Sequence, residues 1–519
     1  MFSRSAFLKL AGAAGLAAGL QACKRKQPTP QAQEQGAETP LAPLPTASPP
    51  ATGAPVAAAP TAFPSATPPE PVTLQYWDLG GSQGEWFAQE IKLFQNAYPW
   101  VNIVRSPQKE MSQALNVAFA GGRLPDCYLE GPALAAQQAA KKFFCRPLSV
   151  YADFEDFKNS FPRPALDFVP LSNQFDGKTY SAPREARSGW SNQLFINLDV
   201  LRAARLDPER LPATDSELIE TARAVFKNSR GSVYGYANGF ATVWMNALFE
   251  WQGARSYKVG GYDWRSGKSS YSSNPNFQKM LEMMATLAKE GLVLPEARSG
   301  DEATLRASFA EGKVAIIHGG MWNVNDWKQS HPNFTNYTIL PPLLLGEEAE
   351  FTYYTPPGLT GTPIFIGAHS KHPEEAWLWF KWLHHRNAGE RWVKSGSGFS
   401  IFPQNNRADF FTDLAWKDYT RLFAGLSHVE PQPGIRNPDC SKVKAKRAEP
   451  DFAALGWEVF SGALPRGGIA SALEKLAATA DANWQTALTK AQKDGAKIEA
   501  GDFIFSDWQP LEDYVTMTA

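Results

Sequence analysis

Hydrophobic and polar positions alternate from residue 72. Val72, Leu74 and Tyr76 are separated by Thr73 and Gln75, the two-residue period of a strand. Asp78 and Gly80-Gly81-Ser82 interrupt the run. Phe87, Ile91 and Phe94 then fall at i, i+4 and i+7, the stripe of a helix, with Pro99 just beyond it and a second strand in Val101–Val104. Strand, glycine loop, helix and strand predict a right-handed βαβ unit. In open α/β sheets ligands bind beyond the carboxyl ends of the strands, where this loop lies.

The same grammar recurs. Thr214 followed by Glu217 predicts a capped helix start, with Leu218, Ala222 and Val225 as its buried stripe. "TPIFIGAHS" reads as a strand and "SKHPEEAWLWFKWLHHR" as a helix. Pro373 suits that helix's first turn, Glu374 and Glu375 meet the positive end of its dipole, and His384, His385 and Arg386 meet the negative end. "KVAII" predicts a strand ending in Gly319-Gly320, and "IASALEKLAATADANWQTALTKAQ" a long helix. Strands and helices alternate throughout, so the class is α/β.

The first 71 residues follow other rules. Arg4 and Lys9 precede a short apolar run from Leu10 to Ala22, too short for a membrane span of about 20 residues and matched to a secretory signal. Its end, "LQAC", resembles the bacterial lipobox, which implies cleavage before Cys23 and a diacylglycerol on that residue. An ordinary signal cut near Ala22 and an uncleaved anchor are the other readings. "SRSAFLK" looks like a twin-arginine signal, but Ser5 stands in place of the second Arg, so either export route is open. Residues 24–71 hold 13 of the 40 Pro and a single aromatic, Phe63, a composition that buries too little apolar surface to order itself and predicts an extended spacer.

Composition narrows the body's function. All 17 Trp lie beyond residue 71, and 51 basic against 52 acidic residues give a net charge of -1. That balance argues against a nucleic-acid partner, which wants a basic patch. Cys127, Cys145 and Cys440 remain besides Cys23, and outside the cytoplasm a Cys127–Cys145 bridge is permitted. No metal spacing appears among the seven His, and GxSxG, P-loop and GxGxxG are absent. The adjacent acids Asp301-Glu302, Glu347-Glu348 and Glu374-Glu375 read as solvated caps, although a glycosidase pair converging across a cleft is invisible to spacing.

Seven stretches then occur in order over about 72–490: "YWDLGG", "FQNAYPWVNIV", "GRLPDCYLEGP", "FINLDVLRAARLD" with "LPATDSEL", "SFAEGKVAIIHGGMWN", "SKHPEEAWLWFKWL" and "WEVFSGAL". Together they resemble the extracellular solute-binding proteins of ABC importers, in particular the sugar-binding family that includes maltose-binding proteins. The resemblance implies a type II periplasmic-binding-protein-like fold with two α/β lobes, a hinge and a ligand cleft between them. Projected here, lobe one covers 72–187 plus 360–410 and lobe two 188–359 plus 411–519. Segment 432–451 has no counterpart in the pattern and reads as an insertion.

The resemblance further implies a monomeric receptor without cofactor or catalysis, on the outer face of a bacterial cytoplasmic membrane. It would pass a mono- or oligosaccharide to permease subunits. A sugar needs flat rings for its C–H faces and polar forks for its hydroxyls. Trp77 and Asp78 close the first strand and Ser82 opens the loop, although Trp77 in the core and Asp78 as a cap satisfy the same pattern. Glu130 follows another predicted strand, and Trp190 lies near the junction between lobes. Trp244 is seven residues from Trp251, a spacing that also describes a packed helix face. Trp322, on the loop after Gly319-Gly320, is the strongest candidate; Tyr354 and Arg407 complete the set. Two alternatives stay open: an anchored carbohydrate-active enzyme, and the same receptor taking a peptide, polyamine or sugar phosphate.

Overall fold

The computed structural model describes residues 70–80, 83–129, 144–170, 172–186, 192–239, 243–256, 261–357, 361–423 and 425–514. The signal, Cys23 and the spacer lie outside the described residues, as do Ser82, Glu130 and Trp190.

The expected βαβ unit forms: β1 (Val72–Asp78), α1 (Gly84–Ala97) and β2 (Val101–Pro107), with β1 and β2 parallel and Val72 opposite Val101. Next come α2 (Met111–Ala120), β3 (Cys127–Leu129), also parallel to β1, and the short helix α3 (Phe154–Asn159). Alternation along β1 sorts its side chains. Leu74 and Tyr76 enter the large core beneath α1, while Trp77 points the other way, into a smaller cluster with Met111 and Leu115 of α2.

The second sheet is built from β4 (Gln193–Asn197), α4 (Asp215–Asn228), β5 (Tyr234–Ala237), α5 (Val243–Ala254), α6 (Glu302–Ala310), β6 (Val314–Gly319), α7 (Trp322–Ser330) and β7 (Tyr337–Ile339). Its strand order is β7-β4-β6-β5, with β6 parallel to β5 and antiparallel to β4. Thr214 caps α4 as predicted: Glu217 N–H donates to its Oγ1 at 3.2 Å, and Glu217 Oε2 accepts from Thr214 N–H.

After β8 (Tyr353–Thr355) the chain returns to the first sheet as β9 (Ile364–Ile366), antiparallel to β3, giving the order β9-β3-β1-β2. There follow α8 (Pro373–Leu383), α9 (Arg386–Lys394), β10 (Ser427–Val429), which pairs with β8, and the long α10 (Ile469–Lys493). Glu90 of α1, fully buried, accepts from Trp382 Nε1 at 2.8 Å and from Arg391 Nε at 2.6 Å, fastening α1 to the returning helices.

One expectation is corrected and one open question is answered. The "HH" pair does not place charge at a helix end. His384 is buried with its ring 4.1 Å from that of Phe380, and burial lowers its pKa to about 3, so it is neutral; His385 instead caps α9, accepting from Asn387 N–H at 3.2 Å. Cys127 and Cys145 form no disulfide with each other: β3 directs Cys127 into the main core, whereas Cys145 belongs to the α2 cluster across the sheet. Segment 432–451 is placed as well: Cys440 and Val443 pack with Leu488 and Ala491 of α10 and with Ile498 and Phe503 beyond it.

Candidate functional site

Two strand-to-helix turns carry the leading candidates, and each is built differently. At the end of β1 the carboxylate of Asp78 is 1% exposed. Arg105 of β2 donates to both of its oxygens, Nε at 2.5 Å and Nη2 at 3.0 Å, and Gly80 N–H donates at 2.6 Å. Gly80 adopts φ +68°, a left-handed conformation that costs a side-chain-bearing residue more than Gly. Asp78 is therefore the pin of the loop, tying it to the neighbouring strand. Trp77, on the opposite face, is half-buried and lines a groove of about 550 Å³ along α2, with Gln108, Glu110, Gln113 and Val117. The alternation that buries Tyr76 beneath α1 turns this indole toward α2.

At the end of β6, Gly319 and Gly320 bring the backbone round to α7, whose first residue is Trp322. The indole folds back over Gly320, where a Cβ would stand 1.9 Å from its Cζ3. Its Nε1–H donates to Glu302 Oε1 at 2.6 Å, and Glu302 is paired with Arg306 at 2.9 Å. Burial raises the Glu302 pKa, against the lowering effect of the indole N–H and of Arg306. The turn thus holds a half-buried ring whose donor is engaged, an arrangement suited to contact through the ring rather than through nitrogen. Just upstream, His318 is buried, 2.6 Å from Asn192 Oδ1, and burial lowers its pKa to about 3.

The remaining candidates are dispersed. Tyr354 of β8 packs edge-on to Trp508 at 5.0 Å, beside Trp264 and Phe505, and burial raises its pKa. Arg407 is exposed, pairs with Asp409 and lies 4.9 Å over the Phe410 ring. Trp244 falls in the first turn of α5, with its side chain outside the described residues. Among the described residues no group of three His, Cys, Asp or Glu is arranged to hold a metal, and no helix is long and apolar enough to cross a membrane.

A pair missed in the sequence sits where the chain passes between the sheets. Ala186 N–H donates to Phe399 C=O and Ile401 N–H to Arg184 C=O, both at 3.0 Å, so the two crossing segments pair antiparallel. Arg184 and Glu185 are buried there, joined at 2.8 Å, with the guanidinium 4.0 Å above Trp392 and 5.2 Å from Trp86. Burial raises the Glu185 pKa and Arg184 opposes it. The only sequence signal was two adjacent opposite charges among small residues in "SAPREARS".

The comparisons agree with this architecture. A sequence profile for bacterial extracellular solute-binding proteins matches residues 91–424. An ABC transporter extracellular-binding protein of Pyrococcus horikoshii is 22% identical over 289 residues, 52% of this chain; the match spans only 60% of that relative's length. A binding protein of Brucella abortus is 21% identical over 341 residues, 65% of this chain and 78% of the relative. Among solved structures, an ABC solute-binding protein of Thermotoga lettingae bound to α-D-tagatose superposes with a TM-score of 0.54 at 20% identity, covering 81% of this chain and 99% of that one. The acarbose-binding GacH receptor of Streptomyces glaucescens gives 0.54 at 17%, covering 82% and 99%. The maltotriose-bound MalE domain of Bdellovibrio bacteriovorus gives 0.54 at 17%, covering 80% and 100%. Matched over more than half its length, the chain belongs to the bacterial extracellular solute-binding proteins and has their type II, two-lobed α/β fold.

Proposed function

We propose that this protein captures a carbohydrate between its lobes, taken as 72–187 plus 360–410 and 188–359 plus 411–519, and hands it to the permease of an ABC importer while Cys23 and the spacer tether it to the membrane. The observation that carries the reading is the pair of indoles at the strand ends, Trp77 closing β1 and Trp322 following β6, one from each sheet. Rings presented from two sheets suit the C–H faces of a sugar, which a cleft can cover from both sides. Trp322 is the principal contact and Trp77 a flanking one. Ser82, Glu130, Trp190 and Trp244 are kept as further candidates from the sequence, and Tyr354 and Arg407 as minor ones. Asp78 acts by holding its loop. The relatives that bind tagatose, acarbose and maltotriose give the ligand class its support. Closure follows only if ligand binds the closed form better than the open one.

The test is a panel of mono- and oligosaccharides, with peptides, polyamines and sugar phosphates beside them, read by tryptophan fluorescence and thermal shift. A sugar should bind without being turned over, and Trp322→Ala should weaken it by more than about 1 kcal/mol, the scale of one ring contact. A panel in which only non-sugars respond, or in which new reducing ends accumulate, rejects the carbohydrate receptor. Membrane fractionation of Cys23→Ser, expected to release the chain, reads the anchor.

A further inference from the structure

The family profile stops at residue 424, yet the chain continues through ordered structure to Tyr514. Its last described segment belongs to lobe two and reaches a residue of lobe one. On the second-lobe side, β10 pairs with β8, whose Tyr354 N–H donates to Arg255 C=O at 2.8 Å just beyond α5. Val429 N–H of β10 donates to Asp513 Oδ1 at 2.8 Å, and Tyr514 N–H returns to Val429 C=O at 2.8 Å. Phe505 N–H donates to Trp264 C=O, and the Arg436 guanidinium lies 3.8 Å over the Phe505 ring. These contacts fasten residues 503–514 to lobe two. The free oxygen of the same carboxylate, Asp513 Oδ2, pairs with Arg163. Arg163 belongs to lobe one: it follows α3, whose Phe157 packs edge-on to Trp377 of α8 at 4.9 Å. Beside the ion pair a cavity of about 270 Å³ separates the two sides, with Phe168, Val169 and Gln174 on one wall and Glu430, Gln432 and Tyr514 on the other.

We propose that the C-terminal segment is a strap between the lobes and that Arg163 and Asp513 are positioning residues, setting the balance between the conformation seen here and those with the lobes rotated apart. The cavity leaves the walls room to move, so relative motion of the lobes has to break this ion pair or peel the strap from β10. Any ligand whose affinity differs between the two conformations then feels the pair. This last step rests on the receptor reading; the strap itself does not.

The experiment uses the full chain with spin labels at exposed Glu155 and Lys268, measured without ligand. Asp513→Asn keeps an amide oxygen for Val429 N–H, and Arg163→Gln leaves β10 untouched. Each should move part of the distance distribution away from the wild-type peak by a factor of about 2–5 in population, the range open to a partly exposed ion pair. The double variant should do no more than either single one, because each already removes the pair. An unchanged distribution in both single variants, or a double variant whose shift is the sum of theirs, overturns the strap. If the distribution shifts as expected while no sugar binds, the strap stands and the carbohydrate reading falls. If sugar binds and the two single variants change its affinity by the same factor as the population, both stand.

Discussion

The turn after β1 and the turn after β6 are written with nearly the same letters, Trp-Asp-Leu-Gly-Gly and His-Gly-Gly-Met-Trp, yet different forces hold them. In the first, a buried carboxylate gathers two guanidinium nitrogens and a backbone N–H, and the indole is turned away toward α2. In the second, an aromatic ring covers a glycine, its N–H secured by Glu302, and the neighbouring titratable group is a neutral histidine. Fixed charge holds Asp78 and Gly80, whereas packing and one hydrogen bond hold the Trp322 ring. The order of Trp and Gly decides which arises. A Trp before the loop is still in the strand and obeys its two-fold alternation; a Trp after the loop opens a helix and can lie back over the turn.

The contrast can be broken most forcefully at Asp78. Asp78→Ala strips Arg105 of its partner and Gly80 of its acceptor, and should cost about 3 kcal/mol of unfolding free energy, the low end for a broken buried pair because Arg105 is 23% exposed. Denaturant titration measures it. A loss under about 1 kcal/mol would mean that the charge network is not what holds the turn.

Acid should act on the second turn. His318 has its folded pKa depressed to about 3, so between that value and its unfolded value near 6.5 only the unfolded chain takes up the proton. Its stabilising contribution is complete above the unfolded pKa and is lost as pH falls. From pH 7 to pH 5 the loss is about 2 kcal/mol for one such histidine. His384, depressed by the same burial, adds a similar amount, so His318→Gln should remove roughly half of the acid sensitivity contributed by the pair. A stability–pH slope equal to that of the wild type would show that His318 already titrates in the folded state.

Glycine substitutions sharpen the comparison at the smallest scale. Gly80→Ala meets a φ of +68° and should destabilise by about 1 kcal/mol while leaving the tryptophan emission alone. Gly320→Ala has the opposite signature in emission. The added Cβ would stand 1.9 Å from the Trp322 ring and force it off Glu302, so the emission should shift, with a stability loss of about 1 kcal/mol for the hydrogen bond. Silent emission in both variants would erase the distinction.

Much of the framework could be read along the chain, because strand alternation, the Thr214–Glu217 cap and the Gly-Gly turns are local statements that the fold respects. The failures share one cause. His384 looked like a helix-end cation until Phe380 buried it, and whether Cys127 and Cys145 pair stayed open until the sheet came between them. Asp78 read equally as a ligand group or a cap, and the pattern gave no sign of Arg105, its partner on the neighbouring strand. Arg184-Glu185 gave almost no signal, since two adjacent charges look the same in solvent and between tryptophans.

By itself, then, the sequence determined the alternation of strands and helices, the places where glycine lets a strand turn into a helix, and the family. These depend on periodicity and backbone freedom over a few residues. Tertiary structure alone decided which carboxylate pairs with which guanidinium, which indole faces which helix, and which distant residue the C-terminal segment meets. Those outcomes depend on burial and on partners far away in the chain, such as Arg163 and Asp513, 350 residues apart, and no local pattern encodes a distance of that kind.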